Sequence, residues 1–165
     1  MIRIAIIILS LLIAACSGNQ PQNNPENAAI HCHVEGTVHN RPDSDKLLLF
    51  VGISGYTSQA TKPYAEIDIK NGKFSYDIYI DEAQYCELIF EEEIQSGYWQ
   101  AIDFVADNNA IKMELYPREE SGKNIIESAG STAEYQSYKI ALRELQDKTN
   151  KLRDELKSNG ICYTE

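Results

Sequence analysis

The chain has 165 residues, of which 43% are apolar, 24% charged and 9% aromatic, enough for one globular domain and too few for two large ones. With 15 Lys and Arg against 25 Asp and Glu, a net charge of −10, it lacks the clustered cations that carry affinity for phosphate backbones, which argues against a nucleic-acid binder. Its four Cys are too few for a disulfide scaffold and are not paired at zinc-site spacing.

Residues 1–15 read as a signal peptide. Arg3 precedes an apolar run to Ala15 that Ser10 alone interrupts, shorter than the roughly 20 residues a spanning helix needs. Ile13-Ala14-Ala15-Cys16 resembles the lipobox of bacterial lipoproteins, with Ile13 where Leu is commonest. The resemblance implies cleavage before Cys16, lipidation of its thiol and a membrane anchor through that lipid; acyl chains contribute about 0.8 kcal/mol per buried CH₂. The other reading is an ordinary secretory signal with an incidental cysteine. Residues 16–29 then form the lipidated Cys and a tether. Ser17–Ala29 holds no large apolar residue and one charge, Glu26, so it cannot offset its ordering entropy and should stay flexible. Such a tether reaches roughly 20 Å as a coil. Ser17 after the cysteine resembles the outer-membrane pattern, so the expected location is the cell envelope, outer membrane, facing the periplasm. Without its leader the chain carries 14 basic and 25 acidic residues.

Residues 30–128 predict a β-sandwich. Ile30–Val38 alternates, with Ile30, Cys32 and Val34 on one face, His31, His33 and Glu35 on the other, and Gly36 as a bulge. Lys46–Ile53 is a more continuous apolar run, as for a strand covered on both faces. Lys70-Asn71-Gly72-Lys73 predicts a two-residue hairpin turn, because Asn-Gly tolerates positive φ at both central positions. Closing that hairpin pairs Ile69 with Phe74, Ile67 with Tyr76 and Ala65 with Ile78, and sets Glu66 against Asp77. Tyr85–Glu91, Trp99–Ala106, Ala110–Tyr116 and a short Asn124–Glu127 complete seven or eight antiparallel strands, in a sandwich or barrel.

Residues 131–160 change period. Ser131-Thr132-Ala133-Glu134 matches a capping box, and Gly160 is placed to end the helix, leaving 161–165 as a tail. Tyr135, Tyr138, Leu142, Leu145, Thr149, Leu152 and Leu156 recur at spacings of 3 and 4. This narrow stripe either packs on the sandwich or a neighbouring domain, or forms a coiled coil with a protein partner or a second copy.

Few residues carry chemistry. Cys32, Cys86 and Cys162 remain after processing. Cys32 and Cys86 fall on inward faces, either as small core residues or as a structural disulfide; Cys162 is free or intermolecular. In His31-Cys32-His33 the cysteine points away from both imidazoles, so no shared metal site is expected. Glu91-Glu92-Glu93 reads as solvated loop charge, and Asp107-Asn108-Asn109 as a turn without the other ligands of a calcium loop. Tyr56, Tyr98 and Trp99 are candidates for a ligand surface or for core packing. No catalytic residue, metal or cofactor is expected.

The order of a lipobox signal, a polar tether, HVEGTV, DSDKLLLF, IDIKNGKFSYD, FVADNNAIKMEL and IESAGSTAEYQSY resembles domain-of-unknown-function family 4369. The resemblance spans roughly residues 30 to 140, and its most specific pieces are Asp68–Phe74 and Gly130-Ser131. It implies an N-terminal domain of Bacteroides-type lipoproteins that usually continue into a TlpA-like thioredoxin domain, with no catalytic residues to carry over. The expected function is a non-catalytic envelope module that positions or recognises a partner. Two alternatives stand beside it: a truncated thiol–disulfide oxidoreductase, and an independent ligand- or glycan-binding lipoprotein.

Overall fold

The computed structural model describes residues 25–52 and 62–159; the leader, Cys16, Tyr56, Gly160 and Cys162 lie outside them. The elements in chain order are β1 (Ile30–Val38), β2 (Lys46–Val51), β3 (Ala65–Asp68), β4 (Lys73–Ile80), β5 (Gln84–Phe90), α1 (Glu91–Gln95), β6 (Ile102–Ala106), β7 (Ile111–Leu115), a 3₁₀ turn (Arg118–Lys123), β8 (Ile125–Ser128) and α2 (Gly130–Ser158). They build a β-sandwich of two four-stranded sheets, ordered β4-β1-β7-β8 and β3-β2-β5-β6, followed by one long helix. One departure from a purely antiparallel plan is the β1–β7 pair, which runs parallel with Val34 beside Ile111 and Val38 beside Leu115.

Alternation along each strand supplies the inner faces. Cys32, Val34, Phe74, Ile78, Ile111, Met113 and Leu115 from one sheet meet Leu47, Leu49, Cys86, Leu88, Phe104 and Ala106 from the other in a single core. The apolar run of β2 is buried on both sides, as its sequence implies. Leu48 and Phe50 turn outward with Ile89 and are covered by Ile94 of α1 and Ala101.

The Asn-Gly turn forms, with φ of 54° at Asn71 and 69° at Gly72. The extended hairpin does not. Only Lys70 and Lys73 bridge across the turn; β3 then pairs with β2, with Leu47 opposite Ile67, while β4 pairs with β1 along eight residues, Ile30 opposite Ile80 through Thr37 opposite Lys73. The turn is thus a corner that passes the chain from one sheet to the other. Both strands keep the predicted apolar face, because facing layers of a sandwich bury the same periodicity that a flat hairpin would. The like-charge pair Glu66–Asp77 disappears: Lys46 Nζ donates to Glu66 at 2.7 Å, and Asp77 lies opposite His33. Gly36 is not a bulge either. Its register is unbroken, and a Cβ there would lie 2.7 Å from the Phe74 ring and 2.5 Å from the Met113 carbonyl oxygen.

The run Glu91-Glu92-Glu93 is helical rather than loop, and Glu93 is buried. Arg41 Nη2 donates to Glu93 at 2.6 Å and to Glu92 at 2.9 Å, with its guanidinium over the Phe90 ring.

Candidate functional site

The helix α2 begins differently from its sequence signature. Its N-cap is Ala129, with no side-chain cap from Ser131. The free N–H of Ser131 instead donates to Asp107 Oδ2 at 2.8 Å, from the turn between β6 and β7. Asp107 Oδ1 is held by the backbone N–H and the side-chain amide of Asn109, each at 2.9 Å. Burial alone raises the Asp107 pKa, but the donors from Ser131 and Asn109 outweigh it and hold the carboxyl below its ordinary value. Gly130 makes this approach achievable. Its φ is +60°, and a Cβ would stand 2.4 Å from Asn109 Nδ2 and 2.6 Å from Asp107 Oδ2.

The next two turns dock on β6, an edge strand. Thr132 is fully buried, and its hydroxyl donates to the Val105 carbonyl at 2.6 Å while accepting the Val105 N–H at 3.1 Å. Gln136 donates to the Asp103 carbonyl at 3.0 Å. The Asp103 carboxylate receives both the Tyr135 hydroxyl and Lys139 Nζ, at 2.7 Å each. Burial and this neighbouring carboxylate push the Tyr135 hydroxyl up to about 12, so it stays protonated and donates. The helix thereby replaces the missing neighbour of an exposed sheet edge.

Beyond Lys139 the helix leaves the sandwich. The docked positions 132, 135, 136 and 139 lie on a face roughly 110° around the axis from the apolar stripe, at 3.6 residues per turn. The expectation that the stripe packs on the sandwich is therefore overturned, except for its first member, Tyr135. Tyr138, Leu145 and Leu152 are 61%, 60% and 60% exposed, and Leu142 is exposed as well; Leu156 is half-buried. Residues 140–158 project by roughly 28 Å. Periodicity found the stripe, but the residues that aim it, Asp103, Asp107, Thr132, Gln136 and Lys139, are polar and carry no such signal.

The other candidates do not assemble with it. Cys32 and Cys86 are free, buried thiols rather than a disulfide, donating to the carbonyls of Asn109 and Gln84. Burial pushes them up to about 11 and about 12, so neither supplies a thiolate nucleophile near neutral pH. Tyr98 and Trp99 are exposed before β6, and the Arg118 guanidinium covers the Tyr98 ring at 3.9 Å. His31 and His33 point outward, away from Cys32, and both donate to Asp77 Oδ1 at 2.8 Å. Among the described residues no group of three His, Cys, Asp or Glu is arranged to hold a metal ion. An open cleft of about 750 Å³ beside β4 is lined by Glu35, Asp68, Lys70 and Lys112 among others. Lys70 pairs with Asp68 and Lys112 with Glu35, so the lining answers its own charge. Among the described residues no helix is long and apolar enough to cross a membrane.

Compared with known proteins, the chain matches no family model, no curated protein and no solved structure.

Proposed function

We propose that this protein is a non-catalytic, lipid-anchored module of the bacterial cell envelope whose projecting helix recognises a protein partner. The observation that carries the reading is the unpartnered stripe of Tyr138, Leu142, Leu145 and Leu152, exposed on a helix whose first turns are clamped to the sandwich. Large apolar side chains aligned on one exposed face cost solvation unless something covers them. The docked turns fix where that face points, which preorganises it for binding. The Cys16 lipobox supports the anchor, and the raised pKa of both core thiols speaks against redox chemistry in the sandwich. The resemblance to family 4369, whose members usually precede a thioredoxin domain, fits a module that positions a partner.

The test places a photo-crosslinking residue at position 145 or 152 of the full chain in its own membranes, with position 147 on the opposite face as control. Adducts from 145 and 152 but not 147, lost from the membrane fraction with Cys16→Ser, are the expected result. Equal adducts at all three positions, or none, would refute the recognition claim. Membrane retention of Cys16→Ser would refute the anchor.

A further inference from the structure

Spacing, charge and position together select an occupant for the projecting stripe. We propose that it is a second copy of this chain, whose helix runs antiparallel with Leu145 against Leu156 of the second copy and Thr149 against Leu152 of the second copy. The inference rests on the reading of α2 as a recognition element and goes beyond it by naming the partner and a seam of Leu145, Thr149, Leu152 and Leu156, with Leu142 falling opposite Asn159 at its end.

The first argument is the repeat itself. Tyr138, Leu142, Leu145, Thr149, Leu152 and Leu156 alternate spacings of 4 and 3, the narrow seam that meets a second helix rather than the broader face that meets a globular core. Ile140 is exposed but lies off this seam. Most helical stability in proteins comes from packing of an amphipathic face rather than from propensity, so the projecting part gains most from a helical neighbour.

The second argument is the flanking charge. Three alignments bury Leu145, Leu152 and Leu156 together. In a parallel pair, Lys148 lies beside Arg153 of the second copy, a repulsion that symmetry doubles. An antiparallel pair with Leu142 against Leu152 sets Lys148 against Lys148. Shifting that pair by one heptad, so that Leu145 meets Leu156, places Lys148 beside Glu155 twice and Gln146 beside Arg153 twice. Of the three, only this last alignment sets Lys148 against an opposite charge, and it leaves Arg153 beside the neutral Gln146.

The third argument is where the chain keeps its acidity. Residues 30–129 carry 18 acidic and 8 basic side chains, whereas residues 130–159 carry 5 and 6. The helices can approach without net repulsion, but two sandwiches cannot. In the shifted antiparallel pair the contact centres on residues 150 and 151, so the docked turns lie about 45 Å apart at 1.5 Å per residue. That exceeds several times the Debye length of about 8 Å. A parallel pair would bring both sandwiches to one end.

The experiment uses the full lipidated chain in mild detergent, with sedimentation and a carbodiimide that joins Lys148 to Glu155 as an amide with loss of water. Within one chain these residues are about 10 Å apart along the axis, beyond a zero-length link, so mixed isotope-labelled chains report the link as intermolecular. The expected result is a dimer carrying that link. K148E and E155K should each raise the dimer dissociation constant about tenfold, as two exposed attractions become repulsions, and K148E/E155K should return it to within about threefold of the original. These positions are exposed, and circular dichroism checks that each variant keeps its helix. A monomer at high micromolar concentration overturns the proposal, as does a dimer that K148E tightens, which is the signature of parallel pairing. A monomer whose position 145 still crosslinks to a different protein overturns the second copy while leaving the recognition reading standing.

Discussion

Arg41 stacks its guanidinium on the Phe90 ring, 3.5 Å from the centroid, and joins the buried Glu93 to the loop before β2. Glu93 also accepts the Gln100 N–H at 2.8 Å, so one carboxylate ties α1 to the chain on both sides of it. Arg41→Ala should cost about 3 kcal/mol in urea denaturation, because it leaves a buried charge unpaired; adding Glu93→Gln should recover part of the loss. Asp107 makes a prediction of a different kind. Its folded pKa lies below the ordinary 3.8, so its contribution is present above that pH and lost as pH falls through the folded value. Asp77, lowered chiefly by the His31 and then the His33 hydrogen bond, acts with the same sign. The urea midpoint should therefore fall below about pH 4, and Asp107→Asn should lower it at neutral pH while making the acid-side fall shallower.

At the scale of elements, the joint between α2 and β6 depends on Thr132, whose hydroxyl satisfies both edge groups of Val105. Thr132→Val keeps the shape but leaves a buried donor and acceptor unpaired, for about 2 kcal/mol. Hydrogen exchange at the Val105 amide should quicken, and Thr132→Ser should restore protection. This joint also shows what the sequence reveals and what it hides. Alternation located the strands, because burial on one face imposes period 2 wherever the strand goes. Asn71-Gly72 revealed the turn but not the partners of β3 and β4, since a turn's backbone chemistry is local and sheet membership is not. Ser131 and Glu134 match a capping pattern, yet the cap comes from Asp107, 24 residues earlier. The stripe was visible because it is apolar. The docking face was not, because Thr132, Gln136 and Lys139 read as an ordinary wet surface until β6 supplies unpaired backbone groups beneath them.

For the whole molecule, the sandwich and the distal helix should be separable in stability. Every hydrogen bond and ion pair described between α2 and the sandwich comes from residues 131–139. A chain ended after Leu142 should melt within about 4 °C of the full chain, the shift that roughly 1 kcal/mol produces in a domain of this size. A much larger loss would mean that the distal helix supports the core. The turn Asp107-Asn108-Asn109 has a wider consequence. Asn108 accepts the backbone N–H of His31 at 3.1 Å, and Asp107 holds the start of α2. The chain therefore enters the sandwich and leaves it for the helix at the same three residues. Traction between the segment before β1 and whatever grips the helix would be shared by this turn, the β1–β4 ladder that starts at Ile30 opposite Ile80, and the docked turns on β6. One turn thus holds the two ends of the described fold side by side, so the segment before β1 and the helix leave the sandwich at a common corner.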